Sequence, residues 1–147
     1  IEVEVYYITD YQSPKTPYEA HFLHTNIQVA KKQENIQLYA GDFLVKTNQE
    51  SNRYIVETLE PHSVDGFFAW NFFDGILQQK EWFSDYAFEP KAIKFLKQNP
   101  EVKKEFEQRK ANDAEFAKNS WAQLYYIYKK SPYYEKTVNR YPIYRIE

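Results

Sequence analysis

Phe67-Phe68-Ala69-Trp70-Asn71-Phe72-Phe73 opens a run in which nine aromatic residues fall between positions 67 and 88, the others being Trp82, Phe83, Tyr86 and Phe88. Each ring can remove roughly 150–250 Å² from water. The run is therefore expected to be the packing centre of the chain, with Phe67, Phe68, Trp70, Asn71, Phe72, Phe73 and Trp82 as structural or interface residues. Its local structure stays open. Asp74-Gly75 suits the turn of a hairpin joining 67–73 to 76–82, and Trp70, Phe73 and Leu77 equally suit a helix.

On either side the periodicity is clearer. Before the run, Glu2-Val3-Glu4-Val5-Tyr6-Tyr7-Ile8 alternates polar and apolar, with Val3, Val5 and Tyr7 on one face. Strands are also expected at His21 to Val29, at Asn35 to Tyr39 and at Phe43 to Val45, with Lys31-Lys32-Gln33-Glu34 as a connection and Gly41-Asp42 as a turn. The period then changes. Thr47-Asn48-Gln49-Glu50 fits a capping box, and Ile55, Val56 and Leu59 predict a helix over 48–60, stopped by Pro61.

After the run the signals are helical. Pro90 and Pro100 sit where helices begin. Asp113 can cap a helix carrying Phe116, Ser120, Trp121, Leu124, Tyr125 and Tyr128 along one side, ended by Pro132. Tyr141 to Ile146 reads as a last strand, confined by Pro142 to a sheet edge. The expectation is a single α+β domain over 1–147. It is strand-rich over 1–46 and helix-rich over 47–132, with a terminal strand at 140–146. An antiparallel sheet or small sandwich carries the helices packed on it.

Composition narrows function by exclusion. The 147 residues include 14 Tyr, 11 Phe and 3 Trp, against 3 Gly and no Cys or Met. Nineteen basic residues face 21 acidic ones, mixed along the chain, for a net charge of −2. That is a poor match to a nucleic-acid binder, which needs a basic stripe. No apolar stretch approaches the roughly 20 residues of a membrane span. Without Met and starting at Ile1, the chain is expected to be a mature form or a piece of a longer protein.

No catalytic set emerges from the motifs. His21 and His24 are read on a strand, where a separation of three places them on opposite faces as ordinary half-exposed histidines, and His62 has no partner at ligand spacing. There is no Gly-x-Ser-x-Gly elbow, and the glycines are too isolated for a phosphate loop. Asp65, Asp74, Glu81, Asp85 and Glu89 surround the aromatics. They read as surface or capping charge unless two stand across a pocket as a hydrolytic pair. The pairs Tyr6-Tyr7, Tyr125-Tyr126 and Tyr133-Tyr134, with the Trp residues, read either as packing or as a stacking platform.

Several strings in order carry a resemblance over nearly the whole chain. They are Pro17-Tyr18-Glu19-Ala20-His21, with Ala20 where Gly is usual; Gly41-Asp42-Phe43-Leu44-Val45 with Asn48-Gln49 and Arg53; and Leu59-Glu60-Pro61, Asp65 and Phe68-Ala69-Trp70-Asn71-Phe72-Phe73-Asp74. Ser131-Pro132-Tyr133-Tyr134-Glu135 and Arg140-Tyr141-Pro142 complete them. The whole resembles the region downstream of the catalytic domain in Bacteroidetes-type zinc carboxypeptidases of the carboxypeptidase A-like family. That resemblance implies a non-catalytic accessory domain, periplasmic or extracellular, whose partner is the catalytic domain of the same polypeptide. The family's His-x-x-Glu zinc motif is missing here, so no catalytic, metal or cofactor residue carries over. Zinc is implied for the parent's catalytic domain alone. The alternative is an independent glycan- or protein-binding module using exposed Tyr and Trp, and a third reading is a hydrolase built on carboxylates.

Overall fold

A computed structural model describes residues 1–146. The class is α+β: strands β1 (Glu2–Gln12) and β2 (Thr25–Asn35) precede helices α1 (Asn52–Leu59), α2 (Asp85–Gln98), α3 (Pro100–Asn112), α4 (Ala114–Lys118) and α5 (Ser120–Lys130). The chain forms two compact units, Ile1–Gln78 with Thr137–Glu147, and Gln79–Lys136.

In the first unit β1 and β2 pair antiparallel, with Tyr7 opposite Ala30 and Ile8 opposite Val29, and the register slips between Ile8 and Gln12. β1 is buried on both faces, through Val3 and Val5 on one and Tyr6 and Ile8 on the other. Both its edges are engaged as well. Opposite β2, the Tyr141 amide donates to the Tyr6 carbonyl (2.8 Å), and Glu4 and Arg145 exchange backbone bonds of 2.9 and 3.0 Å. The expected terminal strand is thus present as isolated bridges at Arg140 and Arg145, because Pro142 between them has no amide to give.

Tyr6, Ile8, Phe68 and Tyr141 form the core of this unit. The rings meet edge to face, Phe68 and Tyr141 at 6.3 Å and 81°. Fully burying each side chain contributes about 1.5–3 kcal/mol. The Tyr141 hydroxyl avoids a desolvation penalty by donating to the Leu59 carbonyl at 2.8 Å, and burial pushes its pKa well above the ordinary phenol value.

Several sequence expectations are corrected here. No separate strand forms over Asn35 to Tyr39 or over 43–45; Asn35 ends β2, after which the chain leaves the sheet, and Phe43 is 94% exposed. The residues expected to connect two strands are instead paired within β2, Lys31 to Tyr6 and Lys32 to Val5. Their stems lie on rings, Lys31 Nζ 5.3 Å from the Tyr6 ring and Lys32 Nζ 4.7 Å from that of Tyr7. Lys31 also reaches the Glu4 carboxylate at 3.2 Å. A hydrogen bond from the Tyr6 hydroxyl, reinforced by that Lys31 contact, holds the Glu4 pKa below the usual carboxylate range. A long β2 thereby absorbs the turn, and the next apolar run has no strand beside it to receive its hydrogen bonds.

The capping box is not made either. α1 starts at Asn52 behind Ser51, with no side-chain cap, because the Gln49 amide turns back onto the Thr47 carbonyl and the Asn52 amide onto that of Gln49.

The aromatic run is neither hairpin nor helix. Residues 66–73 wind through overlapping turns, with Trp70 N to Gly66 O at 3.0 Å and Phe72 N to Phe67 O at 2.9 Å. Asn71, at φ +55°, breaks any continuous helix, and a short 3₁₀ turn follows over Asp74–Leu77. At Gly66 a Cβ would stand 3.1 Å from the carbonyls of Glu60 and Ser63, so only glycine fits without displacement.

The second unit is helical, around Phe88, Ala92, Phe106, Phe116, Ile127 and Tyr128. The expected single packing centre is therefore divided: Phe68 serves one core and Phe88 the other. α2 begins at Asp85, with Pro90 inside it and not at its start. One amide bond is lost near the first turn, while Phe88 and Ala92, four apart, reach the core. Pro100 opens α3 as expected. The expected long helix after Asp113 is two: Asp113 caps α4 through the Phe116 amide, and Asn119 caps α5 through the Ala122 amide, both at 2.9 Å. Gln123 Nε2 then donates to the carbonyls of Phe116 and Ala117, satisfying the end of α4. Among the described residues no helix is long and apolar enough to cross a membrane.

Candidate functional site

Two features stand out on chemical grounds, one in each unit. In the first unit, Tyr18 and His21 exchange two backbone hydrogen bonds of 2.8 Å across Glu19 and Ala20. Both central residues have positive φ, +47° and +68°, the mark of a type I′ turn. Glycine or asparagine normally occupies such positions.

From this turn the two histidines reach the aromatic run. His21 Nδ1 lies 2.8 Å from Asn71 Oδ1, with the ring 4.9 Å from Phe72 and 5.7 Å from Trp70. The backbone amide of His24 donates to the Ala69 carbonyl at 2.7 Å, and its Nε2 donates to Asp74 Oδ1 at 2.7 Å. His24 is only 5% exposed, set between Tyr11 at 4.6 Å and Phe68 at 5.1 Å.

The expectation of two ordinary half-exposed histidines on one strand is corrected. Both precede β2, His24 is buried, and each has a side-chain partner. Each pair spans fifty residues, and the spacing of three between the histidines is repeated between Asn71 and Asp74. That repeat was the signal available in the sequence.

A carboxylate on Nε2 fixes the orientation of the His24 ring. Nδ1 is buried without a hydrogen-bond partner, and no hydroxyl stands on it to be activated as a nucleophile. Among the described residues, no three His, Asp or Glu gather as a metal site. The remaining carboxylates of the aromatic run are dispersed: Asp85 lies in the first turn of α2, and Asp65, Glu81 and Glu89 are exposed. The arrangement bolts the 17–24 segment to the 68–74 segment.

Of the aromatic residues singled out from the sequence, Phe68 is fully buried; Phe67, Trp70, Asn71 and Phe73 are half-buried. Phe72 and Trp82 are exposed. Phe72, at 62%, shares the surface of its unit with Tyr18, at 60%.

In the second unit Trp82 lies near-parallel to Trp121 (6.1 Å, 29°) and to Tyr125 (5.7 Å, 23°), and Trp121 to Tyr125 (5.0 Å, 20°). Trp121 and Tyr125 share a face of α5, as their spacing predicts. Trp82, from before α2, was not foreseen as their partner. Two of the Tyr pairs are unevenly exposed: Tyr6 is buried and Tyr7 half-buried, Tyr133 exposed and Tyr134 half-buried. Burial and a hydrogen bond to Glu34 push the Tyr7 hydroxyl up to about 12.

Comparisons of this chain with protein-family models, with the curated proteins and with the solved structures found no match.

Proposed function

We infer that this chain is a non-catalytic accessory domain of a secreted or periplasmic zinc carboxypeptidase, supporting the protease fold or shaping access to its cleft. The observation that carries the reading is the meeting of the strings on which the resemblance rests. Pro17–His21 and Phe68–Asp74 lie fifty residues apart, yet are joined through His21 to Asn71 at 2.8 Å and through the neighbouring His24 to Asp74 at 2.7 Å. That two of the strings touch one another supports reading them as parts of one three-dimensional unit.

In this reading the zinc chemistry belongs to a catalytic domain elsewhere in the polypeptide. Tyr18 and Phe72, large rings left in solvent beside that joint, offer it an apolar docking face. Calorimetric titration of the chain with a separately expressed catalytic domain of the parent enzyme is expected to show saturable binding. Phe72→Ala is expected to weaken it about tenfold, the loss of one central apolar anchor. No detectable association would count against the reading.

A further inference from the structure

We propose that Trp82, stacked on Trp121 and Tyr125, is a binding platform for the apolar face of a neutral carbohydrate. This goes beyond the accessory role and does not depend on it, since every residue involved lies within Gln79–Lys136.

The platform is built rather than incidental. Trp82 is 57% exposed and Trp121 43%, yet the backbone ahead of Trp82 is fixed. The Glu135 carboxylate accepts from the amides of Lys80 (2.7 Å) and Glu81 (2.9 Å). The Glu81 carbonyl accepts from Gln79 Nε2 at 2.8 Å, while Gln79 Oε1 accepts from the Tyr125 hydroxyl at 2.9 Å. An indole held this way loses little freedom on binding, and that lowers the cost of association.

Ring geometry selects the ligand. Near-parallel rings with centroids 5.0–6.1 Å apart leave no slot for a third group between them. A proline ridge needs a groove between rings, and an alkylated ammonium needs rings set steeply around it. Angles of 20–29° supply neither. What remains is the exposed part of the Trp82 indole itself, backed by Trp121 and Tyr125. A pyranose matches that face, with C–H bonds on one side and hydroxyls around the rim. A nucleobase is also flat, but the phosphates of a nucleic acid call for a basic stripe, and Lys129, with Nζ 4.6 Å from the Tyr125 ring, does not make one in a chain of net charge −2.

The test is calorimetric titration of the full chain with cellohexaose, chitohexaose, oligo(dT) and a proline decamer. Saturable binding of at least one oligosaccharide is expected. Trp82→Ala should weaken it by about tenfold or more, and Trp82→Tyr, which keeps a flat ring, by no more than about threefold. Tyr86→Ala, removing an isolated ring that is 84% exposed, should leave it unchanged. Circular dichroism checks that each variant keeps its helices. Three results would overturn the proposal: neither oligosaccharide binding at millimolar concentration, Trp82→Ala binding as well as the parent chain, or binding confined to oligo(dT) or the proline peptide.

Discussion

A left-handed backbone costs an ordinary L-residue about 1–2 kcal/mol, because its Cβ crowds the following carbonyl. The turn between Tyr18 and His21 uses two such residues in succession, Glu19 and Ala20. At Ala20, with φ +68°, the sequence departs from the glycine that such a backbone favours. Ala20→Gly is therefore expected to raise the unfolding free energy by about 1 kcal/mol, net of glycine's extra freedom in the unfolded chain. A urea midpoint that falls instead of rising would show that the turn is not strained. At the other end of the same joint, Asp74 is the sole acceptor for a buried imidazole nitrogen. Asp74→Ala leaves that N–H desolvated and unpaired, at a cost of about 1–3 kcal/mol. Asp74→Asn keeps an oxygen at the same place and should cost clearly less. Equal losses in the two variants, read from the same urea titrations, would mean that the hydrogen bond contributes nothing.

Elements were legible where their signals were local. Pro100 needs only a missing amide and a preset φ to start a helix, and Asp113 needs only its own carboxylate and the amide three residues on. Signals that depend on a distant partner misled. Ile36, Leu38 and Ala40 alternate as a strand does, but a strand requires a neighbour, and β1 has its edges occupied by β2 and by the bridges at Arg140 and Arg145. The aromatic run carries both periodicities at once, and the left-handed Asn71 that decides its path bonds to His21, fifty residues away. The break between α4 and α5 lay between these extremes. Asn119-Ser120 is a cap signal that the apolar stripe from Phe116 to Tyr128 outweighed on paper. Asn119→Ala removes the acceptor for the Ala122 amide and is expected to lower stability by about 1 kcal/mol. The drop should be read as an earlier thermal transition in far-ultraviolet circular dichroism. An unchanged transition would show that α4 and α5 gain nothing from being separately capped.

At the scale of the whole chain, the first unit is closed by its two ends. Tyr6 comes from the first strand, Phe68 from the middle of the sequence and Tyr141 from the last turn, and the three rings meet in one core. The terminal segment adds more than a ring. Its Tyr141 hydroxyl covers the Leu59 carbonyl, the Asn139 amide reaches the Ile76 carbonyl at 2.7 Å and the Ile8 amide reaches the Asn139 carbonyl at 2.8 Å, and Arg145 pairs with Glu60. Ending the chain at Lys136 would remove a fully buried aromatic, worth about 3–5 kcal/mol when truncated alone. It would also strip hydrogen-bond partners from one edge of β1. Those losses together rival the 5–15 kcal/mol by which a domain of this size is stable. Such a truncated chain is therefore expected to lose the amide-exchange protection of β1 and β2 while α2 to α5, whose core of Phe88, Phe106, Phe116 and Tyr128 needs nothing beyond Lys136, stay protected. Full protection of Val5 to Ile8 in the truncated chain would refute the view that the carboxyl-terminal ring completes this core. Loss of protection confined to Tyr141→Phe, with its ring kept and only the hydroxyl gone, would shift the weight from packing to the single hydrogen bond on Leu59.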